Sequence, residues 1–206
     1  MAAGRSRRFG ERDKRLAQLP NGASLLESVL VLAQRHYASV RVVVRADDDL
    51  AALGLRDDTP VVISAHADRG LGASLAAAFE ALQRDPTLAD SQAAAVMLAD
   101  MPFLQGTTLQ ELNCAASASR IVRPVRAGRA GHPVLFGRDL WASLSLLKDG
   151  RGGRSVIQAN QARLIEIEVD DPAIHQDIDV PADLPTGNDP SQAPTSVESP
   201  PTPQGL

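Results

Sequence analysis

The 206-residue chain contains a single cysteine, Cys114, which excludes an internal disulfide and fits a reducing cytoplasm. Cys114 lies in the helical pattern Leu109 to Ala116, where a small packed thiol is expected in preference to a nucleophile. No apolar run approaches the roughly 18 residues that a membrane span requires. The N-terminus is basic but lacks a following apolar core, so it does not read as a secretory signal. Aromatic residues make up 3% of the chain and are not interleaved with the basic ones, and the net charge is −4. Neither feature suits a nucleic-acid surface. The length suits one α/β domain with a sizeable core and is short for two.

Against this mildly acidic background, one stretch is rich in both glycine and positive charge. Ala2 to Lys14 holds Gly4, Gly10, Ser6, four arginines and Lys14. Glycines let backbone N–H groups turn toward an anion, and Arg and Lys add the charge that N–H dipoles lack. The stretch reads either as a triphosphate cradle or as a disordered basic leader. It is not the common P-loop, because no Gly-Lys-Ser/Thr follows.

Downstream, Ser24 with Glu27 suggests a capping box ahead of the stripe Leu25, Leu26, Val29, Leu30 and Ala33. Val40 to Val44, Pro60 to Ser64 and Ala93 to Ala99 read as buried strands. A short helix is expected over residues 47–53, and others over 75–84, 107–117 and 139–147. Ile121 to Val125 and Pro133 to Phe136 bracket a basic, Gly-rich excursion, and residues 162–169 contain a strand. The alternation argues for a three-layer α/β sheet that is mainly parallel. From Pro185 the composition turns to Pro, Ser, Thr, Gly and Gln, and residues 185–206 are expected to be disordered.

Several groups could carry chemistry. Asp100 closes an apolar strand, where a carboxylate can hold Mg²⁺ with substrate phosphates or can cap a turn. Asp177 and Asp179 alternate in an extended segment and so face the same way, or they belong to an exposed acidic loop. Asp179 is the better ligand candidate, while Asp183 suits a cap. Gly70, Gly72 and Ser74 offer close backbone approach at a helix N-terminus. His132 could contact substrate or fix a turn. The Asp149-Gly150-Arg151-Gly152-Gly153-Arg154 loop could present guanidinium groups to phosphates or remain solvated.

Taken together, these pieces resemble the nucleotidyltransferases of the molybdenum cofactor cytidylyltransferase type, within the MobA-like NTP transferases. Ala2, Ala3, Gly4, Ser6, Arg8, Gly10 and Lys14 match that family's opening Leu-Ala-Ala-Gly-x-Ser-x-Arg-Met-Gly-x-x-x-Lys pattern, with Phe9 in place of methionine. Gly70 to Ser74, Leu98 to Pro102, Gly131-His132-Pro133, Asp149-Gly150 with Arg154, and Asp177 to Leu184 match later signatures in order.

The resemblance implies a Rossmann-like nucleotidyltransferase fold over residues 1–184. It also implies a cytoplasmic enzyme that joins CMP from CTP to the terminal phosphate of molybdopterin and releases pyrophosphate. Arg8, Lys14 and Asp100 would be catalytic. Ala3, Gly4, Arg5, Ser6, Gly10, Gly70, Gly72 and Ser74 would bind nucleotide, and Asp100 with Asp179 would hold Mg²⁺. His132 and Arg154 would face the pterin. Related guanylyltransferases carry Gly-Gly where this chain has Ala3-Gly4, which favours CTP. A molybdenum hydroxylase is the partner that would receive the product. Guanylyl or sugar-phosphate transfer, and a non-catalytic cofactor chaperone, are the competing readings. The family's first strand should precede the loop, yet only Met1 stands before Ala2. That strand is expected to be truncated here, with the start lying upstream.

Overall fold

A computed structural model describes residues 1–4, 9, 13–148 and 152–184. Helix α1, Leu25–His36, begins at the expected capping box. The Ser24 hydroxyl accepts from the Glu27 N–H at 3.1 Å, and the Glu27 carboxylate accepts from the Ser24 N–H at 3.4 Å. Such a cap stabilises a helix by about 1 kcal/mol. Strand β1, Val42–Arg45, pairs in parallel with β2, Val61–Ser64. Residues 46–54 form turns rather than the expected helix. The aspartates there take up local backbone donors: Asp48 accepts from the Arg45 N–H, and Asp49 accepts from the Ala52 N–H.

Helix α2, Leu71–Arg84, starts earlier than the sequence suggested, because Gly70 at φ 101° supplies a helix entry that residues with a Cβ rarely adopt. The chain continues through β3 (Ala93–Val96), α3 (Gly106–Ala115), β4 (Ile121–Arg126), β5 (Arg129–Ala130) and β6 (Val134–Gly137). It then forms α4 (Trp141–Ser145), α5 (Arg154–Ala159) and β7 (Leu164–Glu168). The Rossmann-like class holds, but the sheet is not wholly parallel. The β4–β7 pair is parallel, whereas β3–β6, β6–β4 and β4–β5 are antiparallel. The basic excursion after β4 returns directly as β5 and β6, and so short a connection can only reverse the strand direction.

Strand alternation divides the core between two helical layers. Ile121, Val134 and Phe136 join Leu75 and Phe79 of α2 and Trp141 of α4, whereas Val122 and Leu135 pack on Leu112 of α3. In β1, Val42 and Val44 meet Leu26 of α1, while Val43 meets Ala78 of α2. Both faces of the sheet are therefore covered. Cys114 is exposed, which corrects the expectation of a packed thiol: α3 turns Leu109 and Leu112 inward and Cys114 outward.

The two strand groups meet at the N-terminus. The Ala2 N–H donates to the Val43 carbonyl at 2.8 Å, the Met1 ammonium to the Met97 carbonyl at 2.6 Å, and the Ala99 N–H to the Met1 carbonyl at 3.1 Å. Behind this bridge lies a cavity of about 370 Å³ between the β1 and β3 sides, lined by Val40, Val42, Ala94 and Val96 among others. The Tyr37 hydroxyl is buried there without a hydrogen-bond partner among the described residues, and burial pushes its pKa up to about 12. Among the described residues, no helix is long and apolar enough to cross a membrane.

Candidate active site

The site is built at the ends of β1 and β3, around the glycine-rich N-terminus. Ala3, Gly4, Gly70, Ser74, Leu98 and Asp100 line one cleft of about 420 Å³. Gly72 lies buried in the first turn of α2. The Ser74 hydroxyl is buried and accepts a hydrogen bond from Ser64 at 3.2 Å, so it ties α2 to β2 as well as bordering the cleft. Arg5, Ser6, Arg8 and Gly10 lie outside the described residues, as do Asp149, Gly150, Arg151 and the segment 185–206. Phe9, in the middle of the opening loop, is buried with Leu19, Leu25 and Ile178.

Ile178 decides where the second pair of carboxylates goes. Its side chain is sunk in that cluster, and its N–H donates to the Asp100 carbonyl at 2.9 Å. Alternation along the extended segment then turns Asp177 and Asp179 to the other side, toward Asp100. One carboxylate oxygen from each of Asp100, Asp177 and Asp179 lies within 4.8 Å of the others. Asp183 accepts from the N–H groups of Asp179 and Val180 at 2.8 and 2.9 Å and so fixes the turn that follows.

Lys14 enters the same cluster. Asp13 caps the short helix Lys14–Leu16, which carries the ammonium to 2.7 Å from Asp100 Oδ2 and 2.9 Å from Asp179 Oδ1. Burial opposes the charge, but hydrogen bonds to Asp100 and Asp179, with their charges, outweigh it and raise the Lys14 pKa above its ordinary value.

His132 approaches from the other strand group, through the turn between β5 and β6. Gly131 makes this close passage: a Cβ there would lie 2.5 Å from the Ile174 carbonyl oxygen. Burial lowers the imidazole pKa, against the pull of Asp100, a hydrogen bond to the Val96 backbone and the charge of Asp177; Arg154, at the start of α5, lowers it further. Nδ1 of His132 is buried without a hydrogen-bond partner among the described residues.

A buried ion cluster, which the sequence reading missed, braces the loop from behind. Arg15 donates to both Asp48 oxygens at 2.6 Å, to Asp13 at 2.9 Å and to the Ala2 carbonyl at 2.8 Å. Arg45 donates to the Gly4 carbonyl at 3.1 Å and lies 2.7 Å from Asp48. Burial would raise the Asp48 pKa, but the Arg15 hydrogen bond, the Arg45 backbone N–H and both guanidinium charges hold it below the usual carboxylate range. The signal available in the sequence was the run Asp47-Asp48-Asp49 beside Arg45, which a local reading assigns to a short helix.

The model of one protein family, the MobA-like NTP transferase domain, matches residues 1–164. The chain belongs to this family. No curated protein sequence matches it. Among solved structures, Rv0371c from Mycobacterium tuberculosis H37Rv is 26% identical with a TM-score of 0.74, covering 88% of this chain and 91% of its own. A manganese complex of Rv0371c aligns at 22% identity and a TM-score of 0.67, covering 89% of each chain. The molybdopterin-guanine dinucleotide biosynthesis protein A from Archaeoglobus fulgidus aligns at 19% identity and a TM-score of 0.53, covering 88% of this chain and 91% of its own. The last two likenesses concern the fold.

In this MobA-like NTP transferase the donor set fits a hard divalent cation. All three candidate ligands are carboxylates, and Oδ1 of Asp100 is buried with no hydrogen-bond partner among the described residues.

Proposed function

We propose that the chain is a metal-dependent cytidylyltransferase that joins CMP from CTP to the terminal phosphate of molybdopterin. The observation that carries this reading is the convergence of Ala3, Gly4, Gly70, Ser74 and Asp100 on one cleft, with Lys14, Asp177 and Asp179 gathered at Asp100. Nucleotide phosphates would lie against the backbone of Ala3 and Gly4, in a stretch braced from behind by Arg15 at the Ala2 carbonyl and Arg45 at the Gly4 carbonyl. The N-terminus of α2 would receive an electronegative part of the nucleotide.

In the reaction, an oxygen of the acceptor phosphate forms a bond to the α-phosphorus of CTP. The bond from that phosphorus to the bridging β-phosphate oxygen breaks, and pyrophosphate leaves with the electron pair. Such transfers need alignment and charge neutralisation rather than a protein nucleophile. Lys14 would neutralise charge on the triphosphate and the departing pyrophosphate, and Arg8 would do the same from the loop. Asp100 and Asp179, joined by Asp177, would hold Mg²⁺, which when bound polarises the phosphoryl oxygens. His132, held neutral by burial, and Arg154 would border the pterin side.

The choice of CTP is supported by Ala3-Gly4 where guanylyl relatives carry Gly-Gly. The choice of acceptor is supported by family membership and by the molybdopterin function named for the Archaeoglobus fulgidus structure. A molybdenum hydroxylase would receive the product. Pyrophosphate release, measured with each NTP, Mg²⁺ and molybdopterin, tests the reading. Release with CTP supports it, and release with GTP alone overturns the base assignment.

A further inference from the structure

The carboxylates that suit a divalent cation already hold a cation of their own. The Lys14 ammonium, with a side chain only 10% exposed, lies 2.7 Å from Asp100 and 2.9 Å from Asp179. These are two of the three carboxylates whose oxygens cluster within 4.8 Å. A metal ion at that cluster would take oxygen lone pairs now directed at the ammonium, and the two positive charges would repel across a few ångströms.

We propose that Lys14 is a built-in competitor of the divalent cation, pairing Asp100 and Asp179 in the metal-free protein and leaving them when the metal enters. This inference rests on the metal site described under the proposed function. Its consequence is ordered assembly. Without metal, the carboxylates are neutralised and held in place while the ammonium is unavailable to substrate. Metal entry frees the ammonium beside the cleft, where a triphosphate brings the negative charge that replaces Asp100 and Asp179 as its partner. One exchange of ion pairs thus couples metal binding to creation of an anion site.

The test uses the full chain without nucleotide. Mn²⁺ affinity is measured by electron paramagnetic resonance for the native protein and for Lys14→Met, Lys14→Arg and Asp100→Asn. Lys14→Met is expected to bind Mn²⁺ on the order of tenfold more tightly, since a competing unit charge is gone; Lys14→Arg is expected to stay near the native value. In parallel, the native protein is labelled with acetic anhydride with and without Mn²⁺, and modification is read by mass spectrometry. The chain has two lysines, and the exposed Lys148 serves as the internal reference. Mn²⁺ is expected to raise labelling of Lys14 several-fold relative to Lys148. Equal or weaker Mn²⁺ binding by Lys14→Met overturns the proposal, and so does Lys14 labelling that Mn²⁺ does not raise. The labelling arm decides the matter even if Lys14→Met does not fold. Equal Mn²⁺ binding by the native protein and Asp100→Asn removes the metal-site reading itself, and the proposal with it.

Discussion

Ile178 donates its backbone N–H to the carbonyl oxygen of Asp100 at 2.9 Å, and this bond sets the register of the acidic cluster. The Ile178 side chain is 3% exposed, packed with Phe9, Leu19 and Leu25, so its neighbours Asp177 and Asp179 are turned to the opposite side. A hydrophobic contact thereby positions two carboxylates.

Truncating that anchor is expected to damage both stability and the site. Ile178→Ala should cost about 2–5 kcal/mol and Ile178→Val about 0.5–1.5 kcal/mol, from lost burial and the cavity left behind. Urea unfolding measures the first effect. Mn²⁺ affinity measures the second and should fall for Ile178→Ala while remaining near native for Ile178→Val.

The Arg15–Asp48 pair is buried, with side chains 6% and 2% exposed. Asp48→Ala removes the buried carboxylate that Arg15 and Arg45 share, leaves Arg15 with Asp13 as its carboxylate partner, and should cost about 3 kcal/mol. It should also raise the KM for nucleotide, because Arg15 and Arg45 hold the Ala2 and Gly4 carbonyls. A double-mutant cycle with Arg15→Met should show strong coupling, the double variant losing less than the sum of the single losses.

His132 should impose a pH dependence with a definite sign. Its folded pKa lies below the unfolded value, because burial disfavours the imidazolium. Near pH 7 and above, both states are neutral and no penalty applies. As pH falls below about 6.5, the unfolded chain takes a proton that the folded one resists, so stability drops. His132→Gln should flatten the unfolding free energy between about pH 7 and 5 relative to the native chain.

The Met1 ammonium acts at higher pH. Burial pushes its pKa down from 8.0 to about 6, against the pull of Asp100. For the chain beginning at Met1, stability should therefore decline by about 2–3 kcal/mol as pH falls from 8 to 6 and then level off. Joining an apolar, β-branched segment of four or five residues ahead of Met1 replaces the ammonium with a peptide N–H. That chain should lose this slope and melt several degrees higher, since about 1 kcal/mol corresponds to a few degrees at this size.

Legibility in the sequence followed the range of the interactions. The capping box of Ser24 and Glu27, the apolar stripe of α1 and the β-branched run of β1 are local patterns, and the structure repeats them with small shifts. The pairing of Asp177 with Asp179 was also readable, because alternation is a local property. Their approach to Asp100 depends on a contact across 78 residues, between Ile178 and Asp100, which no local pattern encodes. Arg15 and Asp48 escaped notice for the same reason: each looks like an ordinary surface charge until the fold buries both. Residues 47–53 were misread because alanines there suggest helix while the aspartates capture nearby N–H groups. Cys114 was misplaced because its helix was recognised without fixing which side faces the core.

The measurement that bears most directly on the central claim is pyrophosphate release with molybdopterin as acceptor, Mg²⁺ and each of the four NTPs, for the native chain and Asp100→Ala. The account predicts release with CTP, little with the other three, and a loss of at least about a hundredfold in turnover for Asp100→Ala. Release that requires GTP, or CTP-dependent release that survives Asp100→Ala unchanged, would contradict it.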